Sequence, residues 1–508
     1  MGTAAAWRGR ALCRPRGRQR GQALIYGVFV LLASLATLLF LFNTGQLVRE
    51  KTKLVDTADA VAYSAGVLHA RALNFEAYTN RAMVANSVVV AQMVSISAWN
   101  KMIWQEATTA SMGSPSAGEV MWASGGPKLA VSPRHGLAYL GLTHPKTRLA
   151  YQLGVYEPLK PISEATAIAA DQLIRKVLLP AEAAMRLSLL SNRSRLMTQV
   201  ANANYAGAGS VKVDLLSGLT DQYVNYSAGD PVIHTYGGAQ RERIAQVANT
   251  SAHRDNFVTL RRWTTNAIVP FDPNCAAVWE RRIPELRRRG ATELVNYDEW
   301  KAVDTYSLQR WKTKKKWGVV LGCNSFEKPI GWGGQVAAKG VASDAYDYGG
   351  AKGDTPSAFF RVNGFGGWFW GSIFGSSLAS SKWSGYSGLP SFDDLSPAAL
   401  GSDDPRVRFA VRVVRNESDV DTSSGNSPVK GGGTLLPKFS DALARNRMAA
   451  VATSEAYFQR PPGAPANSYG AGFGHPNEIG SLFNPYWDAR LTTSSVADVA
   501  HARALQGD

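Results

Sequence analysis

The residue types that do chemistry are scattered along this chain. Its seven histidines are His69, His135, His144, His234, His253, His475 and His501. No two stand at the His-x-x-x-His spacing that sets two imidazoles on one helix face for zinc. There is no Gly-x-Ser-x-Gly turn to expose a serine nucleophile, and no Gly-rich loop ending in Lys-Ser or Lys-Thr to cradle phosphate. Two adjacent acid pairs, Asp393-Asp394 and Asp403-Asp404, lie in Ser- and Pro-rich surroundings and read as solvated loop acids. No catalytic, cofactor-binding or metal-ligating set is therefore expected, and the chain reads as a protein that is not an enzyme. The cysteines, Cys13, Cys275 and Cys323, form no metal-ligand pattern. Cys275 and Cys323 are either two separate buried thiols or a disulfide, whose closure would stabilise the fold by about 4 kcal/mol in the chain-entropy description.

Charge narrows the partners. The formal charge is +16, and arginines 8, 10, 14, 16, 18 and 20 crowd the first twenty residues with no acid to offset them. Further clusters span residues 281–289 and 310–316, the second bordered by Trp311 and Trp317. Such surfaces suit anionic lipid headgroups or cell-wall polymers, or are simply solvated basic faces. Zinc-finger and RNA-recognition spacings are missing, so nucleic acid is not an expected partner. The run GFGGWFWGSIF at 364–374 is too short to span a bilayer; it suits a membrane interface or partner surface, or a loop folded onto the core.

The elements that would carry these residues begin with an uncharged run, residues 23–42. As a helix of twenty residues it spans roughly 30 Å, a bilayer core. The arginines before it outnumber Arg49, Lys51 and Lys53 after it, which predicts a cytoplasmic N-terminus and a translocated remainder. The run is too long for a signal peptide and lacks a small-residue cleavage pattern, so a retained anchor is expected.

Helical character continues to Trp104, with no proline between Asn43 and Trp104. A seven-residue apolar series runs through Leu47, Leu54, Val61, Leu68, Phe75, Ala82, Val89, Ile96 and Ile103. The positions four residues on are mostly small or polar, among them Ala58, Ala65, Ala72 and Asn86. That seam predicts an amphipathic stalk, roughly 90 Å long if unbroken, packed among other helices. Residues 105–154 read as loop. Residues 162–205 read as a second helical region, with Ser163 capping its start and Pro180 breaking or kinking it, and this region is the candidate partner of the stalk. Residues 406–415 alternate, with Val407, Phe409, Val411 and Val413 on one face and Arg406, Arg408 and Arg412 on the other, the pattern of a half-buried strand. Weaker strand signals lie at 300–308 and 318–321.

Several phrases resemble the N-terminal region of the Tad (tight adherence, Flp) pilus-assembly proteins, TadG-like branch. They are Arg18-Gln19-Arg20-Gly21-Gln22-Ala23, Asn43-Thr44-Gly45-Gln46, the stretch from Glu50 to Ala60, Ala62-Tyr63-Ser64-Ala65-Gly66, Ala70-Arg71-Ala72-Leu73-Asn74, and the stretch from Asn80 to Asn86. Residues 480–491, GSLFNPYWDARL, are similar to the ending of longer members of that group. The resemblance implies an inner-membrane component that helps to assemble or present a pilus. Two departures stand out. Tyr26 occupies the position where prepilins cut after glycine carry glutamate, which argues against processing after Gly21. The stretch Asp421-Thr422-Ser423-Ser424-Gly425 lacks the second serine of a von Willebrand-type metal site.

The expected class is α+β: one transmembrane helix running into a long amphipathic helix, packed with further helices, then a mixed domain with strands. The expected division is a basic cytoplasmic tail (1–21), anchor (22–42), stalk helix (43–104), loop and second helical region (105–210) and a mixed periplasmic domain (211–508). The expected function is structural, with pilin-like helices and other pilus-assembly proteins as partners; an envelope-binding, adhesin-like module is the alternative.

Overall fold

The structure, a computed structural model, describes residues 22–111, 149, 150, 152–216, 221–227, 229–255, 258, 263–266, 272–277, 282–340, 382–402, 404–423, 426–428, 447–459 and 480–506. The aromatic run at 364–374, Gly21 and Asp403 lie outside the described residues. One helix, α1, runs without a break over Gln22–Ser111, 90 residues, or about 135 Å. The apolar stretch and the expected stalk are thus one rod.

The buried face of α1 keeps the period of a straight helix. Leu54, Ala72 and Val90 are buried, as are Ala58, Glu76 and Val94, and Ala62, Asn80 and Ala98. Members of each set lie eighteen residues apart, five turns at 3.6 residues per turn. A heptad series drifts off such a line by about 20° per repeat. Accordingly Leu68, Phe75, Ala82, Val89 and Ile96 sit half-buried at the flank. The stalk packs with further helices as expected, and its small-residue seam, with Ala58, Ala65 and Ala72 buried, also meets the sheets of the chain's own fold.

Part of that packing is helical, as expected. Helices α2 (Glu157–Leu173) and α3 (Leu179–Asn204), joined by a π-helical turn at Ile174–Leu178, run antiparallel to α1. The π turn directly precedes Pro180, absorbing the hydrogen bond that a proline cannot donate. Ser163 does not cap the helix. It lies inside α2, its hydroxyl donating back to the Leu159 carbonyl at 2.7 Å, because the helix starts earlier, with Pro158 in its first turn.

The strands are β1 (Lys212–Leu215), β2 (Ile233–Tyr236), β3 (Trp263–Asn266), β4 (Glu285–Asn296), β5 (Glu299–Lys316), β6 (Val319–Ala338), β7 (Lys382–Trp383), β8 (Phe392–Leu395), β9 (Arg406–Asn416), β10 (Arg447–Phe458) and β11 (Trp487–Thr492). Helix α4 (Glu242–Ala252) follows β2, and α5 (Val496–Gln506) follows β11. A four-stranded antiparallel sheet, β1-β9-β10-β11, packs against the part of α1 nearer the apolar run. A five-stranded sheet, β3-β4-β5-β6-β7, packs against the distal part with α2 and α4. The pair β2-β8 lies between them. Strand β9 buries Val407, Phe409, Val411 and Val413 as its alternation predicts. Its other face is covered too in the second half, where Arg412 is buried in an ion pair with Asp214 at 2.8 Å.

Two glycines let α1 and the sheets approach closely. A Cβ on Gly333 of β6 would lie 2.1 Å from the Ala98 carbonyl oxygen and 2.5 Å from the Met102 nitrogen. A Cβ on Gly66 would lie 2.9 Å from the Ser454 hydroxyl. At Gly333 the sheet and helix backbones meet because no side chain intervenes, and at Gly66 the helix backbone meets the Ser454 side chain of β10.

Candidate functional site

Among the described residues, the apolar run of α1 is largely uncovered. Leu24, Phe29, Leu31, Leu35, Leu38, Phe40 and Leu41 are all more than half exposed. The window of mean hydropathy 2.5 buries nothing within the fold. A helix so apolar, so long and so uncovered fits lipid.

From the end of that run onward, three asparagines, Asn43, Asn74 and Asn80, tie α1 to residues far along the chain. Asn43 donates to the Ser423 hydroxyl at 2.8 Å and accepts from the Ser423 nitrogen at 2.8 Å. Ser423, from the stretch compared above with a metal motif, thus docks on the helix at the edge of the apolar run. Asn74 donates to the Trp487 carbonyl and accepts from its nitrogen. Asn80 donates to the carbonyls of Asp393 and Leu482, both at 2.7 Å. Arg81 adds a bond from Nε to the Phe483 carbonyl at 2.7 Å. The 480–491 phrase is therefore the docking surface for the Asn74 to Arg81 stretch of α1.

Beside this junction lies a buried acidic cluster. Glu76 of α1, Glu182 of α3 and Asp393 of β8 bring carboxylate oxygens within 4.8 Å of one another. Asp393 and Asp394 are 2% and 0% exposed, so their expectation as solvated loop acids is corrected: β8 carries them inward between α1 and α3. Asp393 pairs with Arg186 at 2.7 Å and accepts from the Thr235 hydroxyl at 2.6 Å. Asp394 pairs with Arg243 at 2.6 Å and accepts from the nitrogens of Leu395 and Leu482. Glu76 is pushed up to about 8, by burial first and then by Asp393. Glu182 is pushed up to about 9, by burial and then by Glu76 and Asp393.

The basic clusters part ways. In the first, Arg288 is buried against Asp304 at 2.9 Å, while Arg287, paired with Glu285 at 2.9 Å, and Arg282 and Arg289 are half-buried. The second forms the tip of the β5-β6 hairpin. Lys314, Lys315 and Lys316 are exposed there, and Trp317 is 93% exposed at φ 56°, followed by Gly318 at φ 79°. Two positive φ values in succession make the tight turn that matches strand twist. A disulfide, Cys275–Cys323, staples this hairpin to the helical turn Pro273–Ala277, and Asp272 accepts from the Thr313 nitrogen and hydroxyl. The open alternative for the two cysteines is resolved as a pair.

A cleft of about 610 Å³ opens at the distal end, lined among others by Lys101, Trp104, Tyr156, Lys160, Trp332 and Trp383. Trp104 and Tyr156 stack at 4.9 Å. Lys101 donates to Gln335 at 2.7 Å and is pulled down to about 8, by burial first and then by Lys160. No spacing rule pointed to this cleft, because its residues come from α1, the turn before α2, α2, β6 and β7.

Residues 21–72 match the family of Flp pilus-assembly TadE/G-like proteins. This chain carries a Tad segment. Among curated proteins and among solved structures nothing matches the chain. The Tad segment covers the apolar run and the first buried turns of α1, up to Ala72. It ends just before Asn74, so the asparagine junction and the acidic cluster belong to the part of the chain that follows it. Within the Tad segment, Asn43 and Glu50 face the rest of the fold, Glu50 pairing with buried Arg415 at 2.6 Å. Residues 21–72 are thus Tad-like, and the membrane-helix candidate begins within them.

Proposed function

We propose that this chain is a membrane-anchored structural component of Flp-type pilus assembly, holding a large folded domain in the periplasm with its N-terminus in the cytoplasm. One observation carries the reading: a single unbroken helix joins an uncovered apolar run to the core of the folded domain, and the Tad segment straddles the junction. Movement of the anchor is thereby transmitted directly to the domain. The arginine-rich start supports the orientation. The role is one of binding and positioning rather than catalysis, as in the TadG-like branch that the sequence resembles. Pilin-like helices would pack along the apolar run and its continuation on the exposed side of α1, where Val48, Val55, Tyr63 and Tyr78 are at least a third exposed; the small-residue seam is already occupied. Photo-crosslinkers at Val48, Val55 and Tyr63 are expected to capture pilus components in cells. Deletion of the gene is expected to abolish pili while pilin secretion continues. A chain that captures none, with pili intact in the deletion, would end this reading.

The distal cleft supports a second reading, an envelope-binding module. Stacked aromatics beside two lysines suit a sugar polymer with acidic groups. Loss of peptidoglycan binding on Trp332→Ala would support it.

A further inference from the structure

Glu76, Glu182 and Asp393 come from three separate elements, α1, α3 and β8, and are 0%, 1% and 2% exposed. Among the described residues, neither carboxylate oxygen of Glu76 has a hydrogen-bond partner, nor has Oε1 of Glu182. Buried carboxylates without partners are costly, and native folds rarely leave them so. A separate, uncharged group repeats the pattern. Asn80, one turn beyond Glu76, is fully buried and held over Asp393 by its bond to that residue's carbonyl, yet its own Oδ1 has no partner among the described residues. The junction therefore gathers acceptor oxygens in excess of the described donors that meet them.

The charges point the same way. Four carboxylates meet here, Glu76, Glu182, Asp393 and Asp394, against two paired guanidiniums, Arg186 and Arg243. With all four ionised, as ligation of a cation requires, two negative charges are left over. Oxygens bound to one ion at roughly 2.4 Å can stand no more than roughly 4.8 Å apart, and the three ligand atoms lie within 4.8 Å of one another. The donors are all oxygen, with no histidine or cysteine in the cluster, which selects hard ions over zinc or copper.

We propose that Glu76, Glu182 and Asp393 ligate one hard divalent cation of the calcium or magnesium class, which cross-ties α1, α3 and β8 beside the docked 480–491 phrase. The ion supplies the two missing positive charges and gives the orphaned oxygens a partner. Its place next to the Asn80 and Arg81 contacts makes it a clamp on the closure of the C-terminal phrase against α1. The site lies outside the Tad segment and does not depend on the proposed role in pili.

The test uses the full chain in detergent, stripped with EDTA and dialysed. Calcium, magnesium and zinc are added separately, with stoichiometry read by mass spectrometry and melting by differential scanning fluorimetry. One calcium or magnesium per chain and a rise in Tm are expected, with zinc much weaker. Glu182→Gln and Glu76→Gln should each reduce affinity at least 30-fold, while Glu157→Gln, exposed on α2, should leave it unchanged. The rival is that the two glutamates simply hold protons. Absence of stoichiometric calcium or magnesium in the wild type, with infrared bands of protonated carboxyls that vanish in the glutamine variants, would overturn the proposal. The wild-type stoichiometry decides even if a variant fails to fold.

Discussion

Asn74 on α1 and Trp487 on β11 hold each other by two bonds: Asn74 Nδ2 donates to the Trp487 backbone carbonyl at 2.8 Å, and the Trp487 backbone nitrogen donates to Asn74 Oδ1 at 2.9 Å. A side-chain amide here imitates a strand neighbour, so the helix completes the hydrogen bonding of a strand end 413 residues away. Both bonds disappear in Asn74→Ala, and both backbone groups lose their partner. The expected cost is about 2–4 kcal/mol, read as a fall in the denaturation midpoint. Asn74→Asp should keep the acceptor and lose the donor, giving an intermediate value.

Glycine substitutions on α1 and β6 should differ in sign. Gly333→Ala drives a methyl into the backbone of α1 at Ala98 and Met102, and neither can retreat without moving the helix. A loss above about 3 kcal/mol is expected. Gly45 lies mid-helix, and a methyl added there would meet nothing within 4 Å. Gly45→Ala should therefore stabilise by about 0.5–1 kcal/mol. Thermal melts of the two purified variants beside wild type check both signs.

Strand β5 showed only weakly, while the anchor and strand β9 were legible because their signals are local, an uncharged run and an alternation. The packing of α1 was not. Its true buried line passes through His69, Glu76, Asn80 and Ser87, polar residues that a search for apolar periodicity skips, so the eye settles on the flanking heptad instead. Asp393 and Asp394 misled for a related reason. Adjacent acids look solvated, and only the partners Arg186, Thr235 and Arg243, brought in from far along the chain, make their burial tolerable. The 480–491 phrase was visible as a motif, but its role as a surface for Asn74, Asn80 and Arg81 needed the fold.

The disulfide reports on topology. Cys275 and Cys323 are bonded across a separation of 48 residues. Such bonds persist in oxidising compartments and not in the cytoplasm. In cells the pair is expected to resist maleimide labelling until reduced, and to become reactive when periplasmic oxidation is disabled. Reducing it should cost about 4 kcal/mol at most in the chain-entropy description. It should also loosen the hairpin that carries Trp317, seen as faster proteolysis between β5 and β6. Free thiols in the wild-type cell would place the domain in the cytoplasm and reverse the proposed orientation.

His69 should make stability fall in mild acid. It is fully buried, stacked on Tyr223 at 4.8 Å and edge-on to Phe409, with Arg193 at 3.0 Å from Nε2 and Asp221 paired to Arg193 beyond. Arginine can only donate, so Nε2 accepts and the ring is neutral with its proton on Nδ1. Burial first, and the Arg193 charge second, lower it from 6.5 to about 3. Between those values the unfolded chain binds a proton that the folded chain refuses, so stability rises with pH across that window. The contribution is whole above about 6.5 and fades as pH drops toward 3, with a loss of about 2 kcal/mol expected between pH 7 and pH 5. Other groups titrate in this range as well, so the comparison is with His69→Gln, whose side chain cannot take up the proton. Denaturation midpoints of the two chains across pH 5 to 7.5 should converge on the acid side, the wild type losing its advantage as pH falls. Parallel curves would mean that the imidazole is not held neutral between Arg193 and Tyr223.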